Sequence, residues 1–275
     1  MNQTTELLLI ELIKRKGINH WTAKLLPNHY QYPSGSLRKA TVNGITFQLD
    51  IHNWNDWEVY FYAHGEPIDK LIRLCKVDDC VIDIGSNIGF VVMNMALQIG
   101  PKGKAYGFEP NPITFEKMMG NLRLNNFSNI TVTQAALGNM EGVVEPVTVV
   151  ENNLGRSTVK VVPNSQHNFT SPIFTLDSFC ERIGLSHLNI VKIDVEGYEQ
   201  KVLLGGIKTI EKFRPILFIE ISYENLQQQD SSPTEIFTLL NQFGYSFLRA
   251  HDNLVITPEY SFDEDCHFDV ICYPK

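Results

Sequence analysis

What the chain has little of bounds it first. Its five cysteines, Cys75, Cys80, Cys180, Cys266 and Cys272, are odd in number and form no C-x-x-C pair. That excludes the ordinary disulfide framework and the ordinary zinc-site spacing, and leaves reduced thiols used as small core residues. Basic residues are the minority, 23 against 31 acids, for a net charge of -8. Such a chain repels phosphodiester backbones, so no nucleic-acid partner is expected. No apolar run approaches the ~18 residues of a membrane-spanning helix, so no membrane partner is expected either. The N-terminal stretch MNQTTELLLIELIKRKG carries its positive charges after its apolar residues. A secretory leader has the reverse order, so the stretch reads as an amphipathic helix of a cytoplasmic protein.

The remaining pattern divides the 275 residues in two. Residues 1–65 read as an appendage: the N-terminal helix, then a hairpin of two extended runs, Ile45 to Ile51 and Trp57 to His64. That hairpin is dense in rings, with Phe47, Trp54, Trp57, Tyr60, Phe61 and Tyr62 close together. They could cover a sheet edge, face a substrate, or form a homodimer contact. Residues 66–275 alternate short apolar strands with helical stretches, the mark of a doubly wound, mostly parallel α/β sheet. The strands expected are CVIDIG, KAYGFEP, NITVTQAAL, LNIVKIDVEG and RPILFIEIS, interrupted by an inserted hairpin around ENNLGRS. YSFLRA and FDVICYP close the chain as an antiparallel pair.

Three motifs carry chemistry. In Asp83-Ile84-Gly85-Ser86-Asn87-Ile88-Gly89 a buried strand ends in a glycine turn and a helix opens. Gly85 and Gly89 allow close backbone approach, and the helix start offers free N–H groups. The middle glycine of a dinucleotide fingerprint is replaced by Asn87, and Asp83 suits a cationic or hydroxyl group better than a pyrophosphate. Second, Glu109, followed by Pro110 and Asn111, ends the next strand, where an acid holds the two hydroxyls of a ribose. An adenosine ligand without a diphosphate follows, and S-adenosylmethionine fits that description. Third, Lys192 and Asp194 share one face of a strand, flanked by Glu196 and Glu199, with Glu220 ending a neighbouring strand. Asp194 is the expected general base, with Glu196 beside it. Lys192 would steady an alkoxide, lock Asp194, or be a plain internal ion pair. The same carboxylates could hold Mg2+, a reading not favoured because no second acid or Asn adjoins Asp194. No other metal site is expected.

These segments, DIGSNIGF, GFEPNP and above all VKIDVEGYEQKVLLGG followed by RPILFIEI, resemble the FkbM-type S-adenosylmethionine-dependent methyltransferases from about Gly65 to Ser222. The resemblance implies a seven-stranded class I sheet whose last strand is antiparallel. It implies cofactor binding at Asp83 to Gly89 (with Ser86 where the family commonly has alanine) and at Glu109. It also places Glu66 at a family acid position, Ala135 and Ala136 beside the adenine, and Asn153 and Ser157 in a loop facing the substrate. The activity implied is O-methylation of a sugar or natural-product hydroxyl, with a small-molecule acceptor. Transfer to nitrogen or to a glycan, and a non-catalytic module that only binds an adenosine compound, are the alternatives.

Overall fold

The computed structural model describes residues 3–16, 21–62, 65–148, 157–161, 170–257 and 259–275. It begins with α1 (Gln3–Lys16), the hairpin β1 (Leu37–Val42) and β2 (Ile45–Asp50), then α2 (Trp54–Tyr62) and α3 (Glu66–Leu74). There follow β3 (Cys80–Ile84), α4 (Phe90–Ile99), β4 (Lys104–Phe108), α5 (Pro112–Arg123), β5 (Ile130–Thr133) and β6 (Ala136–Leu137). An inserted sheet adds β7 (Gly142–Thr148), β8 (Ser157–Val161) and β9 (Ser171–Phe174). The chain continues through α6 (Leu176–Arg182), β10 (Ile190–Ile193), α7 (Glu199–Leu204), α8 (Ile207–Phe213), β11 (Ile216–Ser222), α9 (Tyr223–Gln228) and α10 (Pro233–Gln242). It ends in β12 (Tyr245–Arg249), β13 (Val255–Ile256) and β14 (His267–Pro274).

The central sheet runs β13-β12-β14-β11-β10-β3-β4-β5. β5, β4, β3, β10 and β11 are mutually parallel, and β14 inserts antiparallel between β11 and β12. The expected seven strands are present, and the two-residue β13 adds an eighth at the edge. Alternation along each strand sorts its side chains between two cores. On β3, Val81 packs on one side while Cys80, Ile82 and Ile84 pack on the other. Helices α6, α8 and α10 cover the second side through Phe179, Ile210 and Ile236. The first side is covered by α4, α5 and the appendage, where Phe47, Leu49 and Ile51 are wholly buried. Among the described residues no helix is long and apolar enough to cross a membrane, and all five cysteines are free.

Three local expectations need correction. Trp57 to His64 does not form a strand: Trp54–Tyr62 is helical, and residues 63 and 64 lie outside the described set. Trp57, Tyr60 and Phe61 are buried together, a spacing of three and four that fits a helix and not a strand. The hairpin lies one segment earlier, turning at Asn43 (φ 54) and Gly44 (φ 81), the two left-handed residues of a type I′ turn. The third core strand stops at Thr133, and Ala136 starts a strand of the inserted sheet. The stretch from Glu199 to Phe213 forms two helices, broken at Gly205 and Gly206. A side chain at Gly205 would meet the Gly138 carbonyl at 1.8 Å.

Candidate active site

The carboxyl ends of β3, β4, β10 and β11 open onto a cavity of about 660 Å³. It lies where the strand order reverses, between β3 and β10, the place where open parallel sheets leave room for a ligand. Gly85 adopts φ +81, and a Cβ there would sit 1.8 Å from the Asp194 carbonyl oxygen. Only glycine lets these two strand ends come so close. Ser86 ties the turn down: its hydroxyl donates to the Asp83 carbonyl at 2.8 Å and accepts from the Phe108 N–H at 3.1 Å.

Glu109 is buried beside this turn. The Asn87 N–H donates to its Oε2 at 3.0 Å and the Asn111 N–H to its Oε1 at 2.8 Å. Burial pushes the carboxyl up to about 7 despite those two donors. Each oxygen retains lone-pair capacity for another donor, which suits adjacent hydroxyls on a ligand.

Parallel register sets Lys192 directly beside Asp83. The Lys192 Nζ lies 3.2 Å from Asp83 Oδ1 and 3.2 Å from Asp194 Oδ2, and donates to the Gly85 carbonyl at 2.9 Å. Burial alone would lower the lysine pKa, but Asp194 and Asp83 more than reverse this, and it stays charged. An ammonium has three hydrogens, and three acceptors surround this one. Asp83 is fully enclosed, whereas the Asp194 side chain is 39% exposed. The geometry therefore suits Lys192 as the lock on Asp194.

The turn after β10 brings Glu196 to the cavity and buries Glu199 behind it. Glu199 Oε1 accepts from the Val195 and Gly197 N–H groups at 3.0 and 3.1 Å, so this buried residue clamps the turn. Burial and the neighbouring Glu220 push its carboxyl up to about 8. Glu196 sits at φ 52, and its Oε2 accepts from Asn225 Nδ2 at 2.6 Å. A left-handed non-glycine residue is strained, and such strain concentrates at functional sites. Asp194, Glu196 and Glu220 each bring one oxygen within 4.8 Å of the others. Glu220 Oε1 is 2.9 Å from His267 Nε2, and Asp269 faces Glu220 across the β11–β14 pair. Burial, with Glu220 and Asp194 nearby, pushes Asp269 up to about 7.

Gly85, Ser86, Asn87, Glu109, Pro110, Ala135, Ala136, Lys192, Asp194, Glu196 and Glu220 thus line one cavity. Other expected residues stand elsewhere. Glu66, at the start of α3, is 65% exposed and lies 3.7 Å from Lys70 one helical turn on, while Gly65 and Pro67 line the cavity. Gly89 caps α4 behind the turn, packed on Met93 and Met118. Asn111 caps α5, its Oδ1 accepting from the Ile113 and Thr114 N–H groups at 3.0 and 3.3 Å. Asn153 and the Ser157 side chain lie outside the described residues. The sequence did not single out His267 or Asp269, which reach the site from β14, nor Asn55 and His29 of the appendage. A histidine 47 residues from its carboxylate partner leaves no spacing signal.

Residues 83–247 match the family model described as the methyltransferase FkbM domain. Hexuronic acid methyltransferase AglP of Haloferax volcanii is 31% identical over 185 residues, which are 65% of this chain and 73% of that protein. The 2-O-methyltransferase NoeI of Sinorhizobium fredii is 26% identical over 183 residues, 61% of this chain and 73% of that one. Among solved structures, methyltransferase FkbM from Methylobacillus flagellatus aligns with a TM-score of 0.47 at 19% identity. That alignment spans 71% of this chain and 44% of the other.

Proposed function

The chain belongs to the FkbM methyltransferase family, and from that premise we propose that it methylates a hydroxyl of a sugar or natural-product small molecule, using S-adenosylmethionine. The observation that carries this reading is Asp194, half-exposed in the cavity, held by the charged Lys192, and adjoining the Gly85 turn. Relatives named for hexuronic acid and 2-O-methylation support a carbohydrate oxygen as the target.

The residues present fit the cofactor. Glu109 would take the ribose hydroxyls on its remaining lone pairs, and Ala135 and Ala136 would leave space for the adenine. The Gly85 to Asn87 turn would hold the methionine end, whereas Asp83, expected to touch it, is enclosed behind the turn beside Lys192 and does not line the cavity. When bound, S-adenosylmethionine supplies a methyl group on a sulfonium with a good leaving group. The chain must then position the acceptor and remove its proton, since a neutral hydroxyl is a weak nucleophile. Asp194 accepts the hydrogen bond of the acceptor hydroxyl and takes its proton as the bond forms. Lys192, hydrogen-bonded to the Gly85 carbonyl and ion-paired with Asp83 and Asp194, keeps Asp194 in one orientation. Asp194, Glu196 and Glu220 already face Lys192, Asn225 and His267. A cation bound there would have to compete with those partners, which favours a metal-free step.

Label transfer from methyl-tritiated cofactor to a panel of glycosides and macrolides tests the reading. Label on an acceptor oxygen is the expected result. Label on nitrogen, or activity abolished by EDTA and restored by Mg2+, would replace the acceptor atom or the metal-free step respectively.

A further inference from the structure

The cavity has a side that the cofactor-binding residues do not furnish. His29, Trp54 and Asn55 line it from the appendage. Trp54 is 39% exposed although it belongs to a cluster of rings. It stacks on Trp57 with centroids 5.3 Å apart and planes 22° apart, and the His29 ring meets it edge-on at 5.5 Å. Both supports are pinned: the buried Trp57 donates its indole N–H to the Pro27 carbonyl at 3.1 Å, and His29 Nδ1 donates to the His52 carbonyl at 2.9 Å. A large ring fixed in this way, with area left uncovered on a cavity, is a ready surface for the apolar face of a ligand.

The same cavity presents Asp194, Glu196 and Glu220, which as carboxylates only accept hydrogen bonds. An acceptor that satisfies both sides needs a flat apolar face and several hydroxyls along its edge. A phenol offers the face with too few donors, and an open-chain polyol offers donors with no face. A pyranose ring offers both. An anionic sugar would meet like charge, because Lys192 is the only lysine or arginine among the described lining residues and is already paired with Asp83 and Asp194.

We infer that Trp54 determines acceptor specificity by taking the apolar face of one uncharged pyranose ring, whose hydroxyl edge is turned to the carboxylates. This rests on the methyl-transfer reading and narrows its substrate class. It sets this chain apart from the relative named for hexuronic acid.

The test uses the full-length chain with three acceptors: a methyl glucopyranoside, the matching methyl glucuronide and the open-chain alditol. Wild type should label the glucopyranoside with the highest kcat/KM. Trp54→Ala should raise its KM about tenfold, the upper range for a ring contact, with kcat within about twofold. Trp54→Phe should retain most of the wild-type KM. Calorimetry with S-adenosylhomocysteine should show unchanged affinity in both variants, which also establishes that they are folded. An unchanged KM in Trp54→Ala would overturn the inference, as would glucuronide or alditol labelled as well as the glucopyranoside by wild type. Should Trp54→Ala fail to fold, Trp54→Phe and the wild-type ranking decide. No label on any hydroxyl compound would overturn the methyl-transfer reading itself and the role of Trp54 with it.

Discussion

The glycine-turn end of the cavity and the end beneath Trp54 are built from different kinds of information. At the first, Gly85, Asn87, Glu109, Lys192 and Asp194 stand at the ends of adjacent parallel strands, each in the turn that its own strand feeds. At the second, His29 and Trp54 come from the beginning of the chain, while His267 and Asp269, which flank Glu220 on the same cavity, come from its last strand. The first end is fixed by local turns and one strand register. The second exists only once the appendage has docked on α4, and the His267–Glu220 contact only once β14 has inserted beside β11. A site of this kind can keep its cofactor chemistry while the acceptor side changes, because the two depend on different contacts.

The most disruptive way to probe that contrast is to remove the appendage. Phe47 is wholly buried against Phe90, with centroids 5.5 Å apart, and shares a core with Val92, Met93 and Met118. A chain starting at Gly65 should therefore show no cooperative thermal melt. A sharp melt from that chain would mean the two regions fold separately.

Next in size is Lys192→Met, which strands Asp83 and Asp194 without their counter-charge. Removing one partner of a buried pair costs about 3–5 kcal/mol, to be read from urea denaturation. A loss well under 1 kcal/mol would show that the lysine does not hold this end together.

Asp194→Asn should leave S-adenosylhomocysteine affinity within a few-fold and lower turnover at least ~100-fold, the range for loss of a general base. Near-normal label transfer by that variant would move the proton acceptor elsewhere, with the Glu220–His267 pair the nearest alternative.

Glu109→Ala should weaken cofactor binding about 10- to 150-fold, from the ~1.5–3 kcal/mol of a charged hydrogen bond. Unchanged affinity by calorimetry would remove Glu109 from the pocket. The gentlest probe is pH. Burial holds the Glu109 carboxyl near 7, and ribose hydroxyls donate best to its ionised form. Affinity should be greatest above that value and fall about tenfold between pH 8 and 6 as the carboxyl takes up a proton. Glu109→Gln has no such proton to gain, so its profile should stay flat over the same range.

Much of this architecture was legible in residue order. The glycine turn after Asp83, the acid at Glu109 and the charged pair in VKIDVEG each lie within one strand and its turn, so spacing alone marks them. The misread hairpin shows the limit. Aromatic and β-branched residues serve strands and helices alike, and the run from Trp54 to Tyr62 was settled by which rings could be buried against Phe47 and Tyr32. The Asn43-Gly44 turn signal was present one segment earlier and was decisive once the strands paired.

By itself, the sequence determined the alternating α/β sheet, the glycine turn after Asp83 and the acids at its strand ends, because short-range periodicity and turn chemistry are properties of neighbouring residues. Tertiary structure decided that Lys192 faces Asp83, that Glu66 turns to Lys70, that His267 meets Glu220, and that Trp54 looks into the cavity. Those contacts depend on strand register and on packing between distant segments. Neither leaves a fixed spacing in the chain, since a shift of one residue in register sends every side chain to the other face.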